Sequence, residues 1–349
     1  MDQNRVINVV GLGLMVAVVA GLIYGAFDQP ELFAQYMIIG IANGGLIALI
    51  ALGYTLVYGI VELINFAHGE VFMMGAYFAL TVVATTTVTT DSSWFAIGGA
   101  AFLALLGAMV FSAGINWGID RVAYRRLRHA PRLAPLIAAI GFSFILQQFA
   151  IYWKGSNPLS PPALIPTEYR TYNILEEWFK LETSIRVRPL DLAVVLVTVP
   201  LLLLLQRFVQ RTRTGKAMRA TAQDRDAAAL MGINVNRAIS IAFIIGGALA
   251  GAAGMIALYY INSARPGMGF RYGLYAFTAA VVGGVGNLNG AVIGGFVIGI
   301  AWSLSDGFAK GYFSGWGAQW TPALIFGLLV VTMVFRPSGL LGETTSEKL

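Results

Sequence analysis

Long apolar runs alternate along the chain with short polar connections. A helix needs about 20 apolar residues to cross the hydrocarbon core of a bilayer. Runs of that order occupy residues 6–27, 36–58, 71–90, 94–118, 134–153, 190–205 and 238–261. From 272 to 304 the chain stays apolar for too long to be one span. The stretch GGVGNLNGAVIGG interrupts it, which predicts two short spans meeting near 287–289. A last run covers 322–335. The pattern predicts about ten membrane helices, or eight to nine if one segment is re-entrant or interfacial. The run at 6–27 reads as an uncleaved first span. It is long for a signal peptide, and no A-x-A cleavage site follows it.

Composition agrees with lipid as the solvent. Of 349 residues, 57% are hydrophobic and 11% charged, against about 25% charged in soluble domains. Mean hydropathy is +0.72. The fold class expected is an all-α integral membrane protein, a polytopic helix bundle. Its 41 glycines suit close helix packing. The absence of Cys excludes disulfides, thiolate metal sites and a Cys nucleophile.

The net charge of +6 resides in connections rather than in a nucleic-acid-binding face. One connection holds Arg121, Arg125, Arg126, Arg128 and Arg132. Another holds Arg207, Arg211, Arg213, Lys216, Arg219, Arg225 and Arg237. Lys and Arg concentrate on the cytoplasmic side of short loops, so both connections are expected there. DQPELFAQ (28–35) is acidic, TTTVTTDSS (85–93) has no Lys or Arg, and 155–189 is mixed in sign. Alternation with a cytoplasmic N-terminus puts these three outside and the C-terminus inside. Within the outer stretch, Tyr169, Tyr172, Trp178 and Phe179 form an aromatic, amphipathic segment suited to a membrane surface or to an external partner.

Two segments carry candidate chemistry. The first is NFAHGEVFMMGAY (65–77), where Asn65, His68 and Glu70 stand together between two spans. Zinc catalysis usually takes three protein ligands, and the other histidine, His129, lies in a basic loop. There is no H-E-x-x-H and no G-x-S-x-G. Metalloenzyme and serine-hydrolase readings therefore fall away, and no metal or cofactor is called for. Asn65 is expected to cap a helix starting at Phe66, and helical spacing turns Glu70 away from His68. Other polar candidates along a path are Asn43, Gln147 and Gln148, each expected first to make an interhelical hydrogen bond and only second to line a pore.

The second segment is GKAMRATAQDRDAAALMGINVNRAISIAF (215–243). It predicts a short helix over 226–231, capped by Gln223 or Asp224 and ended by Gly232. So short a helix is unstable alone and must dock. Ala227, Ala228 and Ala229 allow close approach, while Leu230, Met231 and Ile233 make an apolar ridge. The seat is either the protein's own span ends or a partner. No G-x-x-x-x-G-K-[ST] loop is present to cradle nucleotide phosphates.

The runs GYTLVYGIVELINFAHGEVFMMGAY, RATAQDRDAAALMGINVNR and AFTAAVVGGVGNLNGAVIGG resemble the permease subunits of branched-chain amino-acid ABC transporters, in particular the N-F-A-H-G half of the permease pair. The resemblance covers about 35–341. It implies a permease domain with 209–237 as a cytoplasmic coupling segment. With the extra N-terminal span at 1–30 and the outer stretch 155–189 read from the pattern, the chain is expected to be one transmembrane permease domain over 1–349. Glu62 and the extra span depart from the family pattern. The implied function is a translocation path for Leu, Ile and Val in a bacterial inner membrane. The implied partners are a second, related permease subunit, two cytoplasmic ATP-binding subunits and an extracytoplasmic binding protein. Asp224, Asp226, Ala227, Ala228, Leu230, Gly232 and Ile233 would meet the ATPases, and Asn65, His68 and Glu70 would lie near a gate. Relatives handling urea, short amides or other neutral amino acids supply the alternative cargo. An ion-coupled carrier is the alternative mechanism, drawing on acids such as Glu62, Glu70, Asp191 and Asp306.

Overall fold

A computed structural model describes residues 21–342 apart from 22, 129, 132, 165–171, 181–183 and 309–316. The first predicted span therefore lies mostly outside the described residues, as do His129 and Tyr169.

The described chain is helical, with one isolated β-bridge between Leu159 and Ala264. The helices are α1 (Pro30–Val61), α2 (His68–Thr85), α3 (Trp94–Ile119), α4 (Leu133–Lys154), α5 (Ile174–Phe179) and α6 (Pro189–Arg211). They are followed by α7 (Arg213–Gln223), α8 (Arg225–Leu230), α9 (Val235–Ile261), α10 (Met268–Gly283), α11 (Leu288–Ser303) and α12 (Thr321–Phe335). A π-helical turn, Asp120–Tyr124, extends α3, and another, Leu304–Phe308, extends α11. Among the described residues six helices are long and apolar enough to cross a membrane: α1, α3, α4, α6, α9 and α11, with α3 counted as Trp94–Leu127 and α11 as Leu288–Gly307.

α1 is apolar all round and sits at the centre, buried from Gly44 through Val57. A helix without a polar face belongs in an interior or in lipid. Small residues bring its neighbours close. A Cβ on Gly299 of α11 would stand 2.2 Å from the backbone nitrogen of Gly44, so only glycine permits this approach of α11 to α1. α9 uses small residues in the same way against α2 and α3. By contrast α3, α4, α6 and α12 turn large apolar side chains outward, among them Phe102, Phe144, Leu196 and Val330. In water such surface is costly; in a bilayer it is the normal exterior.

The predicted break between two short spans is the Gly284–Asn287 turn, where the Asn287 side chain accepts from the Gly290 N–H at the start of α11. Cross-contacts sort the ends of the bundle. Arg128 bonds Asp120 and Asn236, and Arg225 bonds the carbonyls of Ile60 and Val61. The two arginine-rich connections therefore share one end. At the opposite end the Arg186 backbone N–H donates to the Gln35 side chain at 2.5 Å, and Asp191 caps the start of α6.

Candidate functional site

The segment 62–67 folds back along α1. Glu62 ends that helix in the left-handed conformation, φ 55°, and its N–H donates to the Tyr58 carbonyl. The next helix begins at His68, whose ring packs on Gly53, where a Cβ would lie 2.4 Å from Nε2. Gly53 lies about 12 Å of helix short of Val61, at 1.5 Å per residue. α2 thus starts inside the bundle.

A set of polar bonds holds this turn. The Asn65 Oδ1 accepts from the Ala67 N–H at 3.2 Å, and its Nδ2 donates to Asn116 Oδ1 at 3.2 Å. Asn116 in turn donates to the Phe243 carbonyl of α9 at 2.7 Å. Tyr124 donates to the Ile64 carbonyl at 3.1 Å. Asn65 was expected to cap a helix from Phe66. The helix begins two residues later, because the Asn65 side chain closes a tight turn at Ala67 and reaches across to α3.

His68 is fully buried. It stands edge-on to Tyr54 at 4.7 Å; the Ile50 backbone is the polar group its ring meets, and no well-formed hydrogen bond holds either nitrogen. Buried polar groups rarely go unpaired, and each exception asks for an explanation. Glu70 is also buried and turns the other way. Its carboxylate faces Ser143 of α4 and the backbone of Phe270 at the start of α10, with Oε2 unpartnered. Between them Gly69 meets α10 so closely that a Cβ would stand 2.3 Å from the Gly269 carbonyl oxygen. His68 and Glu70 share no site.

Asn43, Gln147 and Gln148 make no side-chain hydrogen bonds among the described residues, so the interhelical bonds expected of them are absent. Gln148 faces outward. Gln147 lies over Gly267, whose added Cβ would be 3.0 Å from Nε2. Much of the polar bonding between spans comes instead from α3 and the π-turn that extends it, beside the Gln206–Asn289 and Ser303–Tyr36 bonds. Ser112 donates to the Val71 carbonyl at 3.2 Å, Asn116 bridges as above, and buried Asp120 pairs with Arg128 at 2.8 Å and accepts from Ser240. These residues were missed in the sequence, although Ser112, Asn116 and Asp120 recur at i, i+4, i+8 on one helical face.

α8 is capped by Asp224, whose side chain accepts from the N–H groups of Asp226 and Ala227, each at 2.9 Å. Gly232 follows at φ 80°. Leu230 and Met231 are 88% and 82% exposed, whereas Ala228 is buried within the chain. Leu230 and Met231 therefore face away from the bundle, Ile233 is half-buried, and Ala228 faces its own seat rather than outward with Ala227 and Ala229.

A central apolar helix, a neighbour starting inside the bundle on a polar clamp, and a short exposed helix at the basic end define a multi-pass helical membrane protein. The chain belongs to the family described as the permease component of the branched-chain amino acid transport system, whose model matches residues 36–334. It is 36% identical to the high-affinity branched-chain amino acid permease protein LivH of Salmonella typhimurium, over 92% of this chain and 99% of the relative. It is 37% identical to BraD of Pseudomonas aeruginosa, a permease protein of the same kind of transport system, over 92% of this chain and 100% of the relative. It is also 27% identical to LivM of Escherichia coli, another permease protein of such a system, over 93% of this chain and 71% of the relative.

Proposed function

We propose that this chain is the membrane-spanning permease subunit of an ABC importer in the bacterial inner membrane, carrying Leu, Ile and Val. Separate cytoplasmic ATPases supply the energy, an extracytoplasmic binding protein delivers the cargo, and a second permease subunit of the same family completes the path. Similarity over almost the full length to LivH and BraD supports the cargo class. That LivM also resembles this chain supports a paired, heterodimeric arrangement.

The observation that carries the energy-coupling part is α8. An apolar ridge of Leu230 and Met231 stands exposed at the end of the bundle richest in Arg. That end would be cytoplasmic, where the ridge has no lipid to cover it. It would seat an ATPase, with Asp224, Asp226, Ala227, Gly232 and Ile233 shaping the contact and Ala228 holding the helix to the permease. The topology proposed has about ten spans with both termini cytoplasmic, residues 155–189 outside and 209–237 as the coupling segment. Asn65, His68 and Glu70 lie along the proposed gate, where a histidine held by no well-formed hydrogen bond can change its contacts when α1 and α2 shift. Asn43, Gln147 and Gln148 are the weaker path candidates.

Cells lacking this subunit, and the same cells with it restored, test the reading. Restoration should recover uptake of labelled leucine, isoleucine and valine. Recovery of urea or short-amide uptake instead would reassign the cargo within the same importer type.

A further inference from the structure

We propose that Arg225 is the positioning residue that ties the ATPase-facing helix to the histidine-bearing turn. This inference rests on the coupling role proposed for α8.

Arg225 is the first residue of α8, and its guanidinium leaves that helix to reach the end of α1. One nitrogen, Nη2, donates to the carbonyl of Ile60 at 3.0 Å and to that of Val61 at 2.5 Å. The last carbonyls of any helix lack intrahelical partners and carry partial negative charge. In α1 the next residue, Glu62, turns left-handed, so the chain leaves the helix axis at once. A half-buried, permanently charged group is therefore bonded to the point where α1 turns into the 62–67 segment.

Two other facts give the tie a consequence. The outer side of α8 is its exposed Leu230 and Met231 ridge, so force on the helix arrives there. The far side of the turn is anchored independently, through Asn65 and Asn116 to the Phe243 carbonyl. A movement of α8 thus pulls α1 against a fixed anchor. α1 carries both Gly53, the seat of the His68 ring, and Tyr54, its edge-on neighbour. Arg225 acts from inside the permease, and is separate from the ridge that would touch the ATPase.

The test uses the complete transporter with its ATPase subunits in proteoliposomes, comparing wild type, Arg225→Gln and Arg225→Lys. The reading is leucine transported per ATP hydrolysed, which a loss of folded protein alone would not move. Arg225→Gln should retain the ATPases and hydrolyse ATP while that ratio falls at least ten-fold, and Arg225→Lys should recover part of it. A ratio in Arg225→Gln within two-fold of wild type would overturn the tie while leaving the proposed function standing. A wild-type complex that never couples transport to ATP would overturn both. If Arg225→Gln fails to assemble, spin labels on Glu62→Cys and Ala229→Cys in the otherwise unchanged chain decide. Their separation should stay constant between nucleotide-free and ATP-bound states, because the tie moves the two sites together. A separation that changes between the states overturns the proposal.

Discussion

Gly69 and Asn116 hold the re-entrant turn by opposite means, and their strengths differ. Asn116→Leu removes the bond to Asn65 and the bond to the Phe243 carbonyl. Interhelical hydrogen bonds of this kind contribute about 0.6 kcal/mol each on average in a membrane protein, or about 1.2 kcal/mol for the two. Gly69→Ala puts a methyl 2.3 Å from a backbone oxygen. Overpacking usually costs about 1–3 kcal/mol, and here the neighbour is backbone with no rotamer to yield. Thermal unfolding in detergent should therefore show Gly69→Ala as the more destabilised of the two. His68 belongs to a different category, since its ring makes no well-formed hydrogen bond and meets α1 by packing on Gly53. His68→Ala should lower leucine transport at normal expression, and unchanged transport would leave His68 a packing residue only.

Among the elements, the boundaries of α8 were readable to within one residue, 226–231 against Arg225–Leu230, because they depend on local chemistry. Asp224, three alanines and Gly232 each have one favourable place around a short helix. The side that α8 presents was not readable. Three alanines look alike in sequence, and only packing shows that Ala228 is the one turned inward. The same limit hid Ser112, Asn116 and Asp120, because a polar face on an apolar helix has no visible partner until α2 and α9 are in place. It also favoured Asn43, Gln147 and Gln148, whose amides suggested bonds that the packing does not supply. For α8 the consequence is a double substitution on the ridge rather than at Ala228. Leu230→Asp with Met231→Asp alters exposed side chains, so stability should change by about 0.5 kcal/mol or less for each. Co-purification of the ATPase subunits should nevertheless be lost. Retained ATPases would remove α8 from the docking surface.

For the whole molecule, the hydrophobic periodicity located the helices because lipid makes apolar length a strict requirement. Predicted runs at 134–153 and 238–261 correspond to α4 and α9, extended by a few residues at one or both ends. The re-entrant start of α2 escaped the same reading, since run length says nothing of depth. Orientation is testable cleanly because the chain contains no cysteine. Thr87→Cys should react with a membrane-impermeant maleimide added to the periplasmic side. Lys216→Cys should react only when the cytoplasmic side is opened, and the reverse labelling would invert the topology.

The central claim is that movement of cargo through this bundle is driven by ATPases outside it. Proteoliposomes containing the permease pair, the ATPases and the binding protein measure this directly. Leucine uptake should require ATP and the ATPase subunits, and should persist after an uncoupler abolishes the proton gradient. Uptake by the permease alone, driven by a proton or sodium gradient without ATP, would contradict the account.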